Sequence, residues 1–202
     1  MVIVLVMVFL MLLILVVKFY ISQHTVIKLD RIKPHIKPGD TVLDFGCGDC
    51  CLLENDQTVS TISLDIVNKG KCKSPQLYDG YKIPMSDKSV DVTVCAFVLH
   101  HIPHFREIIK EMSRVTRRCI IILEDTPSNS IDRWFTSIHA GSDWGKCLDC
   151  FKSADEWKKL LSEFFPVESI EYSPISRMSF PFAELPWFYP ISKGCFVVKL
   201  PE

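Results

Sequence analysis

The chain has 202 residues, 48% of them hydrophobic, enough for one domain with a sizeable core. Its formal net charge of −1 excludes a general attraction to nucleic acid, and none is expected as a partner. It contains no internal repeat and no low-complexity tract.

Met1–Val17 carry no charge and are almost all aliphatic; Lys18 interrupts, and Phe19-Tyr20-Ile21 resume the apolar run. About 20 helical residues span a bilayer core, and Lys18 can snorkel to the interface where Tyr20 also sits well. A secretory signal would want a basic start and small residues at a cleavage site. No Lys or Arg precedes the run, and Gly, Ala and Ser are absent from residues 1–21. The expectation is an uncleaved single-pass transmembrane anchor over 1–22, followed by one domain over 23–202. Lys18, Lys28, Arg31, Lys33 and Lys37, against Asp30 and Asp40, place that domain on the cytoplasmic side. The cysteines agree: Cys47, Cys50 and Cys51 fall in a turn, Cys95 and Cys119 in strands, positions that suit reduced thiols.

The periodicity then predicts a leading helix over 24–36, a turn at Lys37-Pro38-Gly39-Asp40, and strands at 41–45, 60–65, 76–78 and 91–96. A helix at 105–116, a strand at 119–123, helices at 131–139 and 154–165, and strands at 167–172 and 195–200 complete the chain. The continuous apolar strands are those of a parallel sheet buried on both faces. Two segments stand outside this alternation, 126–151 and 174–193; the second holds Phe180, Phe182, Trp187, Phe188 and Tyr189. Segments of this length are usually functional or disordered, and such aromatic density argues against disorder.

The densest signal is Val42-Leu43-Asp44-Phe45-Gly46-Cys47-Gly48, a strand running into a glycine turn. Open α/β sheets bind ligands beyond the carboxyl ends of their strands. Gly46 and Gly48 allow a tight turn close to a ligand. Asp65 ends the next strand about 17–19 residues later, where nucleoside-binding folds place an acid on ribose hydroxyls. A dinucleotide site would want a third glycine and no Asp49 near its phosphates; Asp44 suits a cationic ligand better. S-adenosylmethionine (SAM) carries a sulfonium and an ammonium and no phosphate.

These residues resemble the class I SAM-dependent methyltransferases, in particular the small-molecule branch of the "methyltransferase type 11" kind. Val42–Gly48 resembles that family's first motif and Asp65 its ribose acid. Tyr78-Asp79-Gly80, Ile83-Pro84-Met85 and Asp87–Asp91 resemble the segment over the adenine. Val92–Ile102 resembles the fourth motif with the turn after it, and Glu111–Val115 the helix before strand five. The likeness runs over roughly residues 25–125 and departs at Cys50, where many members have glycine. It implies a Rossmann-like α/β fold with a seven-stranded, mostly parallel sheet, helices on both faces and an antiparallel final strand pair. It also implies SAM held by Asp44, Gly46, Cys47, Gly48, Asp65, Ile66, Asp79 and Gly80.

Methyl transfer from a sulfonium is an in-line displacement that positioning alone can accelerate. What varies is how the acceptor loses its proton. His100 and His101, after the fourth strand, are candidate general bases; they equally suit the start of a helix. Glu124 and Asp125 end strand five, where they could orient an acceptor or cap a turn. His139, Asp143 and Trp144, with Trp187 and Tyr189, are candidate acceptor contacts, although Trp187 and its neighbours equally suit a core cap or a membrane contact. Cys147-Leu148-Asp149-Cys150 is a C-x-x-C, but zinc would need two more ligands and only His139 is near in sequence, so no metal is expected.

The expected function is a membrane-anchored methyltransferase using SAM on a small, apolar or lipid-like acceptor. A protein acceptor, or a catalytically silent membrane-tethered SAM-binding module, remains open at this point; intact Asp44, Gly46, Gly48 and Asp65 speak against the latter.

Overall fold

A computed structural model describes residues 28–48, 52–53, 55–68, 75–140, 150–175 and 192–201, with backbone alone at 135 and 138–140. The expected anchor over 1–22 therefore lies outside the described residues. So do Asp49, Cys50, Cys51, Asp143, Trp144, Cys147, Phe180, Phe182, Trp187, Phe188 and Tyr189, and the side chain of His139. Among the described residues no helix is long and apolar enough to cross a membrane.

Seven strands form one sheet: β1 Thr41–Phe45, β2 Ser60–Asp65, β3 Gln76–Leu77, β4 Val90–Ala96, β5 Thr116–Asp125, β6 Ile170–Ile175 and β7 Lys193–Lys199. Their order is β3-β2-β1-β4-β5-β7-β6. The first five run parallel, while β7 lies antiparallel to both β5 and β6. The chain enters β1 from a helix over 28–32 (α1) that tightens into a 3-10 turn at Lys33–His35, with Pro34 in its first turn. The other helices are α2 Phe105–Val115, α3 Ser130–Ala140 and α4 Ala154–Leu161.

Alternation along the strands sorts the core into two layers. Leu43, Phe45, Cys95, Ile120, Ile122, Phe196 and Val198 face α2 and α4, whose Ile108, Ile109, Met112, Trp157 and Leu161 are buried against them. Val42, Val92, Val94, Ile121, Leu123 and Val197 face the other way, onto Ile32 of α1 and onto Leu52 and Leu53. The sheet is buried on both faces, which is why its central strands read as unbroken apolar runs.

Several boundaries differ from the sequence reading. Helix α2 ends one residue early because Thr116 has turned into β5; its hydroxyl bonds the Met112 carbonyl and the Thr93 hydroxyl, both at 2.6 Å. Pro166 starts a 3-10 turn at Val167–Ser169, which delays β6 to Ile170. Pro174 is tolerated there because β6 is an edge strand paired only to β7. Helix α4 stops at Leu161, although its start is a full capping box between Ser153 and Glu156. Between β1 and β2 the described residues form turns and no helix, so the crossover there packs through Leu52 and Leu53.

Candidate functional site

The sheet changes direction at β1: β2 and β3 continue to one side, β4 and β5 to the other. Beyond the carboxyl ends of these strands opens a cleft of about 800 Å3, at the topological switch point where such sheets bind ligands. The amides of Gly46 and Cys47 donate to the Leu64 carbonyl at 2.8 and 3.2 Å, folding the glycine turn over the end of β2. Gly46 has φ +67°, and a Cβ there would lie 2.5 Å from Cγ2 of Val98. The glycine is therefore required by the packing of Val98, whereas the sequence points to the ligand. Gly48, at φ +54°, would bring a Cβ only into ordinary contact, 3.9 Å from the Gly46 carbonyl oxygen.

Two buried carboxylates face this cleft. Asp65 Oδ2 accepts from the Gly48 amide at 2.7 Å, and Oδ1 accepts from Ile66 and Val67 at 2.7 and 3.2 Å. Three amides thus aim a carboxylate that keeps lone pairs for hydroxyl donors. Asp44, 2% exposed, accepts from the Leu52 amide at 3.2 Å. Burial pushes its carboxyl up to about 6; that amide and the ammonium of Lys28 oppose the rise.

The far wall is built by Tyr78–Tyr81, with residues 82–90 continuing behind it. Tyr78, half-buried, sets its ring edge-on to Phe45 at 5.8 Å. Asp79 is exposed, and its Oδ1 accepts from the amides of Tyr81 and Lys82 at 2.9 and 3.0 Å, which turns the chain through Gly80 at φ +87°. Tyr81 stacks on His104 with ring centroids 4.6 Å apart, and His104 Nε2 bonds the Gly80 carbonyl at 2.8 Å. Arg114 clamps this segment from α2, donating to the carbonyls of Met85 and Ile83 at 2.8 and 2.9 Å and to Asp87 and Glu111 at 2.7 Å. Glu111 completes the clamp by accepting from the Ile83 amide at 3.0 Å.

At the end of β4 the two histidines separate. His100 is 6% exposed, and its Nδ1 lies 2.6 Å from Oε2 of Glu124. The other oxygen of Glu124 accepts from the amides of Val98 and Leu99 at 3.1 and 2.8 Å. Glu124 is fully buried; from β5 it caps the 3-10 turn Leu99–His101 and anchors His100 in the same gesture. Among the described residues His101, not His100, lines the cleft.

Next to the cleft lies a second cavity of about 460 Å3, lined by hydroxyl-bearing and charged residues including Thr126, Ser128, Ser153, Tyr172, Ser192 and Lys193. Asp132 of α3 shapes its floor, accepting from the amides of Ser128 and Ser192 at 2.8 and 3.0 Å. Lys193 begins β7 opposite Asp125, with Nζ 4.0 Å from the Asp125 carboxylate. Burial and the nearby charge of Lys28 lower the Lys193 ammonium to about 8, against the pull of Asp125. Between the cavities stands Phe97, with a φ of +60° that a bulky residue rarely adopts. Lys28 Nζ lies 4.9 Å and Lys193 Nζ 4.8 Å from its ring centroid. This junction was not legible in the sequence, because its members come from α1, the residue after β4, β5 and β7.

A model of the methyltransferase domain matches residues 25–164, more than half of the chain. The chain belongs to the methyltransferase-domain family. No curated protein matches it by sequence. Solved methyltransferases share the fold. An SAM-dependent methyltransferase from Thermotoga maritima aligns over 90% of this chain and 93% of its own, at 12% identity and a TM-score of 0.63. One from Archaeoglobus fulgidus aligns over 88% and 94%, at 15% identity and a TM-score of 0.62. A third, at 14% identity and a TM-score of 0.57 over 83% and 85%, was solved as the complex between the Haloferax volcanii Trm112 methyltransferase activator and a methyltransferase.

SAM is the expected cofactor of this methyltransferase. The cleft fits it: a carboxylate aimed by three amides suits the ribose hydroxyls, and a buried carboxyl suits a cationic group. When bound, SAM supplies an already activated methyl group. Asp44, Gly46, Cys47, Gly48, Asp65, Ile66, Asp79 and Gly80 all line one cleft. Glu124 and His100 stand behind its wall as a buried cap and pair. Among the described residues no cluster of potential metal ligands occurs. Cys47, Cys95, Cys119 and Cys195 carry buried thiols. Cys150, by contrast, is disulfide-bonded.

Proposed function

We propose that this methyltransferase transfers the methyl group of SAM to a small, apolar or lipid-like acceptor at a membrane, from a single-pass anchor that leaves the domain facing the cytoplasm. The observation that carries the cofactor half is the cleft at the switch point, with Asp44 and Asp65 turned into it. The membrane half is supported by the uncharged apolar run of Met1–Val17 and the basic flank behind it. The aromatic segment 174–193 supports an apolar acceptor, since aromatic rings give large contact areas with few rotors to freeze.

The chain's own residues hold and orient. Asp65 takes ribose hydroxyls, and Asp44 faces the cationic end of the cofactor. Arg114 fixes the segment behind the Tyr78–Tyr81 wall, and His101, of the two histidines after β4, is the one in the cleft, where it can hold a proton near the acceptor. His100 positions the turn that carries His101.

The test is incubation of the full chain with methyl-labelled SAM and fractionated membrane lipids, soluble metabolites and protein. Label in the lipid or apolar small-molecule fraction supports the reading. Label confined to protein would replace the acceptor, and no label in any fraction, from a chain that binds SAM, would leave a binding module.

A further inference from the structure

We propose that Lys28 holds the α-carboxylate of SAM, beside Asp44, which holds the α-ammonium, so that the cleft selects for the whole amino-acid end of the cofactor. The inference rests on the reading above that the larger cleft takes SAM. The strand order β3-β2-β1-β4 gives this cleft two chemically different ends. Asp65 and Asp79 line it on the β2 and β3 side, Asp44, Phe97 and Lys28 on the β1 and β4 side. Asp44 pairs with Val94 and Phe45 with Cys95, so Ala96 and Phe97 continue alongside the glycine turn that follows β1. Lys28, partly buried at the start of α1, keeps its Nζ 4.9 Å from the centroid of the Phe97 ring. That distance is within cation–π range, which favours an ammonium held in the cleft over one free in solvent. An anion and a cation thus share one end of the cleft.

The charges at that end match the ligand. SAM carries its ribose between the adenine and the amino acid, so a ribose on Asp65 sends these two groups in opposite directions. The flat, uncharged adenine suits the aromatic wall at Tyr78 and Tyr81, which leaves the amino acid for the β1 and β4 side. There the ligand is a zwitterion, with an ammonium and a carboxylate on one carbon. Asp44 alone would attract the first and repel the second; a cation beside it removes the repulsion and adds a charge-assisted hydrogen bond. Lys28 already acts on Asp44 across the cleft, holding its carboxyl below where burial alone would push it. Asp65 acts on Asp44 in the opposite sense, but it is engaged by three amides toward β2. Lys193, the other ammonium near Phe97, faces Asp125 and lines the second cavity. A nucleoside that keeps the ammonium and lacks the carboxylate would bring one charge to Asp44 and oppose Lys28 with the same charge.

The test is titration calorimetry of the full chain with S-adenosylhomocysteine, its decarboxylated analogue and methylthioadenosine, which share the nucleoside and differ at the amino-acid end. S-adenosylhomocysteine is expected to bind at least about tenfold more tightly than the decarboxylated analogue. Lys28→Gln should weaken S-adenosylhomocysteine severalfold and leave the decarboxylated analogue within about twofold. Lys28→Arg should retain the preference, while methylthioadenosine affinity, unchanged throughout, reports that each variant keeps its fold. Equal affinity of the unaltered chain for S-adenosylhomocysteine and its decarboxylated analogue overturns the assignment. So does a Lys28→Gln variant whose preference between the two is that of the unaltered chain, whether both affinities fall together or neither changes. A chain that binds none of the three ligands overturns the cofactor cleft itself and the assignment with it, a separate failure visible before any variant is made.

Discussion

Lowering the pH from 7 to 5 should weaken SAM binding about tenfold through Asp44 alone. This carboxyl is buried beside Lys28 and Asp65, and its pKa lies at about 6 in the protein without cofactor. At pH 7 roughly nine in ten copies are ionised; at pH 5 roughly one in ten. If the cationic part of SAM needs the carboxylate, the fraction competent to bind falls by about the same factor, near 1.4 kcal/mol. Binding should then release close to one proton at pH 5 and few at pH 7, which calorimetry in two buffers of different ionisation enthalpy measures directly. Without cofactor, a carboxyl raised above its ordinary 3.8 stabilises the fold fully below about pH 3.8. That stabilisation is lost as the pH rises through about 6, and amounts to about 3 kcal/mol. Asp44→Asn should abolish both slopes. Equal affinity at the two pH values, or a slope that survives in Asp44→Asn, would refute the assignment of Asp44 to the cationic end.

Asp65→Ala removes the ribose acid and strands three amides; SAM affinity should fall by about 1–3 kcal/mol in isothermal titration, and unchanged affinity in a folded variant would remove Asp65 from the site. Gly46→Ala should unfold more easily in denaturant, from about 1–2 kcal/mol of backbone strain plus the Val98 contact, and Val98→Ala should restore part of the loss; no rescue would mean that the clash is not the cause. Glu124→Ala leaves two buried amides and His100 without their acceptor, so it should cost about 3–5 kcal/mol of stability, whereas His101→Ala should cost little stability and act on turnover; the reverse pattern would exchange their roles. Deleting residues 1–22 should move the protein from the membrane pellet to the supernatant with SAM binding intact, and a deletion variant that still sediments with membranes would count against the anchor.

The glycine turn and both acids were legible in the sequence because each sits on or just past the end of a strand that its apolar run marks. The positions of the central strands were legible too, since Val92–Ala96 and Cys119–Leu123 read as the unbroken apolar runs of parallel strands buried on both faces, whereas their order comes from the pairing. The role of Glu124 was not legible. Its partners lie at Val98–His100, and only the pairing of β4 with β5 brings them together. Arg114 gave a family likeness without a reason; the structure supplies one, a guanidinium that holds two carbonyls of the segment behind the cleft wall. Lys193 fell at the edge of a segment read as aromatic, and its register opposite Asp125 is a property of the antiparallel β7.

The central claim is that the cleft between the β1 and β2 strand ends holds SAM. Isothermal titration of SAM into the full chain at pH 7 tests it most directly. The account predicts saturable binding of one SAM per chain, weakened in both Asp65→Ala and Asp44→Asn. A folded chain that takes up no SAM, or one whose affinity ignores both carboxylates, would contradict it.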